Sequence, residues 1–455
     1  MTEPAASARP SRRTVLGAGA ALGVTAPLLG AGARTAAADE RGGGRWPPAG
    51  PGAPVRSARA ALSFLGQVTD AYATSGARLA QSFDDSRISD IAFIYDNALT
   101  SMALLAGGDV RRARAVGDAL LYAQAHDGEF SDGRLRQAYH AGSFVKADGS
   151  VHFADEFGLT GTAVGDMAWT GLALAHLARR TGERAYLDGL LRIGAWIQAR
   201  STDEGLGGYT FGETANLADH KSTEHNIDVY GLFRIIGALT GDRRWFARAD
   251  HALAFVHRVW NAADGFFWTG SDDGSTINKA PTQLPLDVQT WFELSVGERQ
   301  YAACLDWART NLATTDTPLR TNSALTGNVA VTGVGFGSGT FRTDVTKTVG
   351  GQSYTPKPDD GAVWFEGTGQ LALALRTRGR DGDRARSQEL LEAIRSGQDR
   401  LGAGQTFHGT STTGGIVAAS SPLDTGFGFD YSPNLHVAAT SWYLFAVGGF
   451  NPYRF

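Results

Sequence analysis

Two kinds of apolar segment alternate along this chain, and no other feature constrains its fold as tightly. One kind carries a single apolar stripe. Phe246, Ala249, Leu253, Val256 and Trp260 recur in steps of three and four, as do Tyr186, Leu190, Ile193 and Ile197. Charged residues fill the gaps, so these helices bury one face and wet the other. The second kind, in "DMAWTGLALAHLA", "NIDVYGLFRIIGALT", "AVWFEGTGQLALAL" and "VAATSWYLFAVGG", is apolar or small nearly all round. A helix of that composition is surrounded by protein. Tight breaks such as "TGERAY", "TGDRRW" and "VGERQY" join the two kinds. Gly ends one helix, and an acid suits the N-terminal dipole of the next.

Wet-faced helices are expected from near Ser57, Asp109, Glu183, Asp242, Glu298 and Asp383. Buried ones are expected from near Tyr95, Asp166, Glu224, Asp287, Trp364 and His436. Six buried rods ringed by six wet ones predict an all-α fold, a closed (α/α)6 toroid. "GNVAVTGVGFG", near Val331, is the best strand candidate and reads as a hairpin in a loop. Outer-to-inner links are long and rich in Gly and aromatics, while inner-to-outer links are short. Long links in a compact domain are usually functional, and these all meet the N-terminal ends of the inner helices. That end is expected to be the mouth.

The segments before the toroid read differently. Residues 1–38 hold a twin-arginine pair, Arg12 and Arg13, then a modest apolar stretch and Ala36-Ala37-Ala38, the pattern of a Tat-type export signal. The apolar stretch is short for a stable membrane span. Residues 39–55 are rich in Gly and Pro and read as a linker, which leaves residues 56–455 as one catalytic domain. A secreted protein with no stable span in its mature form is expected. The net charge of −4 and the lack of a basic stripe give nucleic acid no footing. One cysteine, Cys304, excludes an internal disulfide and a cysteine metal cage, and its neighbours mark a buried helix face.

Polar chemistry gathers where the inner helices start. "FIYDNAL" supplies Tyr95, Asp96 and Asn97; "GDMAW" supplies Asp166 and Trp169; "STEHNID" supplies Glu224, His225, Asn226 and Asp228. "PLDVQTW" adds Asp287, Gln289 and Trp291, "AVWFEGTGQ" adds Trp364, Glu366 and Gln370, and "LHVAATSW" adds His436 and Trp442. Acids at helix starts can simply cap free N–H groups, and Asp166 and Asp287 look most like caps. Capping does not explain why the acids keep company with Trp, His and amides on buried helices. Aromatic faces stack on the C–H faces of a pyranose, and carboxylates and amides bind vicinal hydroxyls. Glycosidic cleavage needs one protonated carboxyl and one carboxylate flanking the bond. Crowded acids push each other's pKa values apart and so prepare the two roles.

With its alternating helices and "YDNAL", "STEHNID", "LDVQTW" and "VWFEGTGQLALAL", the chain resembles bacterial (α/α)6 glycoside hydrolases of the glycoamylase-like and β-glucanase type. The resemblance covers nearly everything after the linker. It implies an exported enzyme acting on a poly- or oligosaccharide and assigns no individual catalytic role. From the residues themselves, Glu224 and Glu366 lead as acid and base, with Asp96, Asp166 and Asp287 in reserve; Asp228 is expected to hold His225 or a sugar hydroxyl. Tyr95, Asn97, Trp169, His225, Asn226, Asp228, Gln289, Trp291, Trp364, Gln370, His436 and Trp442 are the candidate substrate-binding set. A neutral sugar is expected, because acids outnumber Arg and Lys at the mouth; Arg134 and Arg136 are the exception.

Other readings stay open on the sequence. A polysaccharide lyase or sugar epimerase on the same toroid would use His225, His436, Tyr95 or Tyr139-His140 as base. A sugar-binding protein without catalysis is a third class. His225 with Asp228, or His220 with Glu224, has helical metal-ligand spacing without a third ligand, so no metal and no cofactor is expected. "GSDDGSTIN", Gly270 to Asn278, is only loosely like a calcium loop.

Overall fold

The computed structural model describes residues 52–455, apart from 73–75, 89, 215–216, 283, 340–345, 350–351, 413 and 427–428. The leader read over residues 1–38 and most of the linker lie outside the described residues. The last residues assigned to the linker form the first turn of helix α1 (Ala53–Asp70). Pro54 sits there at no cost, since a first-turn N–H has no helical partner.

Among the described residues, twelve α-helices alternate as the sequence predicts. The inner six are α2 (Ile94–Ala106), α4 (Val164–Thr181), α6 (Thr223–Thr240), α8 (Leu286–Ser295), α10 (Phe365–Arg378) and α12 (Val437–Gly448). The outer six are α1, α3 (Val110–Ala125), α5 (Arg184–Gln198), α7 (Arg244–Arg258), α9 (Ala303–Asn311) and α11 (Asp383–Gly397). Each inner helix packs on the next, α2 on α4 and so on to α12, which packs back on α2. The ring is therefore closed, and the fold is an (α/α)6 toroid. Close approach is needed for closure: a Cβ at Gly369 of α10 would stand 3.1 Å from the Trp442 carbonyl carbon of α12. The stripe of α7 is rotated from the sequence reading. Trp245, Ala249, Ala252, Phe255 and Val256 face the core, while Phe246 and Leu253 lie on its flank. Cys304 is buried on α9, and Val331–Val334 pairs antiparallel with Ala313–Asp316 as the expected hairpin.

Two repeated devices fix where the inner helices begin. The first is a ring of short antiparallel bridges. The residues leading into each inner helix pair with the following long link: Ile91–Phe93 with Ala138–His140, Thr162–Ala163 with Gly212–Glu213, and Lys221–Ser222 with Gly270–Ser271. Pro285 pairs with Gly337, Trp364 with Ala419, and His436 with Phe83, which closes the circuit. The second device is a side chain at the fourth helical position. Asn97, Met167, Asn226, Gln289, Thr368 and Thr440 each accept a backbone N–H from the link that feeds their own helix, from Ala80, Leu135, Tyr209, Phe267, Val334 and Ile416 respectively. The three amides also donate back to the carbonyl of the same residue. Long links would otherwise carry unpaired buried peptides into the interior.

These amides were candidates for substrate binding. In the structure Asn97, Asn226 and Gln289 are fully buried and spend their polar atoms on backbone, and we assign them to holding the loops. Asn226→Ala would orphan the Tyr209 N–H and C=O inside the protein. A loss of about 2–4 kcal/mol is expected, at the high end for one residue. Denaturant unfolding of the two proteins measures it; a loss below about 1 kcal/mol would show that the clamp contributes little.

Candidate active site

Each inner helix starts from an extended lead-in residue: Phe93, Ala163, Ser222, Pro285, Trp364 and His436. Only Ser222 among them caps with its side chain, accepting from His225 N. The acids lie further in, at the second or third helical position, and none is a cap residue, Asp166 and Asp287 included. Position two brings Tyr95, Glu224, Asp287 and Glu366 into one layer, and position three adds Asp96 and Asp166. One turn deeper, Trp169, Asp228, Trp291, Gln370 and Trp442 follow on the same faces.

The deeper layer is an aromatic floor. The rings of Trp169 and Trp291 are 4.9 Å apart, Tyr95 lies 5.3 Å from Trp169, and Trp442 lies 5.7 Å from it. Tyr453, near the C-terminus, enters from below at 5.1 Å from Trp169. Its hydroxyl donates to Asp228 Oδ1 at 2.5 Å. Asp228 is 0% exposed, so Tyr453 takes the place that the sequence reading gave to His225 or a sugar hydroxyl.

Above the floor the acids converge. Tyr95 donates its hydroxyl proton to Glu366 Oε1 at 2.6 Å and accepts the indole N–H of Trp442 at 2.9 Å. Gln370 donates to the same oxygen at 3.4 Å. His436 bridges two helices, with Nε2 at 3.5 Å from Asp96 Oδ2 and Nδ1 at 4.0 Å from Glu366 Oε2. Asp96 Oδ2, Asp287 Oδ1, Glu366 Oε2 and the indole nitrogens of Trp169, Trp291 and Trp364 are buried without a hydrogen-bond partner among the described residues. Unpaired buried polar atoms are costly. Their concentration around one axis fits a site for a ligand rich in hydroxyls. Glu224 and Asp166 are half-buried, while Asp287 and Glu366 are more enclosed.

Burial and mutual repulsion raise these carboxyls together. Burial, then the Asp96 charge, lifts Asp166 to about 7. Burial lifts Asp287 to about 7 against the stabilising Gln370 amide. Glu224 rises well above the carboxylate range through burial and the charges of Asp287 and Asp166. Glu366 rises likewise through burial and Asp287, opposed by the Tyr95 and Gln370 donors. His225 goes the other way: burial lowers it to about 4, and its neutral ring packs 4.4 Å from Phe211 rather than on an acid.

The remaining sequence candidates lie elsewhere. Arg134 pairs with Asp132 and Glu213, and Arg136 with Asp127 and Glu129. Tyr139 is buried and accepts Arg136 N, while His140 sits between Asp90 and Glu156. In the loop from Gly270 to Asn278, Asp273 spends its carboxylate on its own turn, bonding Ser271, Ser275 N and Thr276 N. Sequence reasoning missed Tyr453, Phe83 and Tyr431, which come from a tail and two links. Phe83 stacks on His436 with centroids 4.0 Å apart, and Tyr431 lies 5.8 Å from it.

No protein-family model matches the chain, and no curated protein matches it. Solved structures do match in fold. A glycosidase determined in complex with glucose is 14% identical with a TM-score of 0.56, covering 88% of this chain and 99% of that one. An alpha-amylase from Clostridium perfringens is 10% identical with a TM-score of 0.55, covering 88% and 100%. A GH76 alpha-mannanase from Bacteroides thetaiotaomicron is 12% identical with a TM-score of 0.53, covering 87% and 98%. At such identities the likeness is one of fold.

The raised carboxyls tie stability to pH. A folded-state pKa of about 7 for Asp166, against 3.8 in the unfolded chain, means that the folded form binds the proton more tightly. The stabilisation is full below the unfolded value and is lost as pH rises through the folded one. Asp166→Asn is therefore expected to gain stability over the wild type as pH rises from about 4 to about 7. Thermal midpoints across that range check it; a constant difference between the two proteins would contradict it.

Proposed function

We propose that the protein is a glycoside hydrolase that cleaves a neutral poly- or oligosaccharide by paired-carboxylate catalysis. The observation that carries this reading is the meeting of Glu224 and Glu366 with Asp96, Asp166 and Asp287 above an aromatic floor. The solved structures that share its fold include a glycosidase, an alpha-amylase and an alpha-mannanase, which supports the same class. Fold alone does not fix function, so the reading rests on the site.

The two lead acids differ in a way that assigns roles. Glu366 receives hydrogen bonds from Tyr95 and Gln370, and both favour its charged form. Among the described residues Glu224 has no such donor; it sits beside Asp287 and Asp166 and is only half-buried. Glu224 is thus the proton donor to the glycosidic oxygen. Glu366, raised as well but with two donors that favour its charged form over that of Glu224, is assigned to meet, once ionised, the positive charge developing at the anomeric carbon. Trp169, Trp291 and Trp442 form the base of the bowl.

The lyase or epimerase reading finds less support. Tyr139 and Tyr95 have their hydroxyls engaged, burial lowers His225 to about 4 and makes it a weak base, His140 is held between Asp90 and Glu156, and both arginines near the mouth are paired. The proposal includes export: the Tat-type pattern in residues 1–38 would deliver the enzyme outside the cell, and among the described residues no helix is long and apolar enough to cross a membrane.

The test is a panel of neutral polysaccharides screened for new reducing ends. Glu366→Gln and Glu224→Gln are each expected to lower kcat by about 10²–10⁴-fold with circular dichroism unchanged. Full turnover in both variants, or uronic-acid polymers as the only substrates, would overturn the reading.

A further inference from the structure

An aromatic wall rises from the acid bowl on the side of α10 and α12. Phe429 is its outer end, at 46% exposure, and packs at 5.9 Å from Phe336 and 5.6 Å from Tyr431. Phe336 lies 4.7 Å from Trp364, and Trp364 stacks on Tyr431 at 5.9 Å and 21°. Phe83 continues the wall to His436. The ring contacts therefore run without a break from exposed Phe429 to buried Trp364, the lead-in residue of α10, two positions before Glu366.

Tyr431 carries the polar point of this wall. Its ring is half-buried, and no hydrogen bond engages its hydroxyl among the described residues. Burial raises its pKa first, then the charges of Glu366, Asp96, Asp287 and Glu224, so the hydroxyl stands within the field of four carboxyls. Charge on the flanks is already consumed. Lys347 pairs with Asp430 at 2.5 Å and lies 3.7 Å from Asp424. Tyr354 donates to Asp430 at 2.7 Å, and Arg87 pairs with Asp85 while its head lies over the Tyr354 ring. Asp430 precedes Tyr431, and Arg87 also reaches Ser432 just after it. Lys347 and Arg87, the cations placed there among the described residues, are thus bound to protein acids.

We propose that this wall is a sugar subsite that stacks an uncharged pyranose of the substrate chain, with the Tyr431 hydroxyl bonding one of its ring hydroxyls and so setting which sugar is accepted. The assignment rests on the glycoside hydrolase reading above. A pyranose offers a flat C–H face to the rings and a hydroxyl edge to Tyr431, the mix of apolar area and few placed polar groups that ligand sites use. A uronic acid would bring a carboxylate beside four acids and find Lys347 and Arg87, among the described residues, already paired, which selects against it.

The test uses the full chain carrying Glu366→Gln, with tryptophan fluorescence titrated by maltohexaose, cellohexaose, α-1,6-linked mannohexaose and hexagalacturonate. One neutral hexasaccharide is expected to bind. Tyr431→Ala is expected to raise its Kd about tenfold, and Phe429→Ala by a smaller factor. Tyr431→Phe keeps the ring and controls for misfolding; it is expected to weaken the preferred hexasaccharide less than Tyr431→Ala does and to reduce its advantage over the other neutral members. Wild-type affinity in both alanine variants, tighter binding of hexagalacturonate, or no binding by any neutral member would overturn the proposal. Turnover separates the two readings. Cleavage with an unchanged KM in Tyr431→Ala removes the wall and leaves the hydrolase; wall-dependent binding with no new reducing ends from the wild type does the reverse.

Discussion

Everything at the centre of this molecule depends on six helices starting at one level around one axis. Each helix brings a partial positive charge at its N-terminus, and six such ends share the rim. That field offsets part of the cost of gathering acids from five helices. It does not cancel the cost, since burial and mutual repulsion still raise Asp166, Asp287, Glu224 and Glu366 together. A set of carboxyls that cannot all ionise is the electrostatic condition that acid–base cleavage needs.

The shared level is held by side chains that never meet a ligand. At the fourth position of each inner helix a polar or sulfur atom takes the N–H of the incoming link, and the residues before the helix bridge to the next link. Positions two and three are thereby turned to the axis. Scaffold and chemistry are separated by one or two residues along the same turn: Asn226 holds Tyr209 while Glu224 faces the bowl, and Thr368 holds Val334 while Glu366 meets Tyr95. Substitutions at neighbouring positions should therefore act differently, one on stability and the other on chemistry.

This division also explains what could be read from the chain. The alternation of striped and all-round apolar helices fixed the toroid because it is a local property, visible in windows of a dozen residues. The acids were legible as a group for the same reason. The amides were not separable from them. Asn97 and Asn226 stand beside acids in sequence, and only the path of a link some seventeen residues upstream reveals their backbone partners. Asp228 was harder still, since its partner, Tyr453, is 225 residues away. Phe83 and Tyr431 lie in links without helical periodicity, so no pattern marked them as neighbours of His436.

The central claim is that the axis holds carboxyls still protonated near neutral pH. Infrared spectroscopy of the intact protein tests it most directly, through the C=O stretch of protonated carboxyl groups at pH 6. The account predicts protonated bands at that pH that vanish one at a time when Asp287 or Glu224 is replaced by its amide. A spectrum in which every carboxyl is ionised by pH 5 would contradict it.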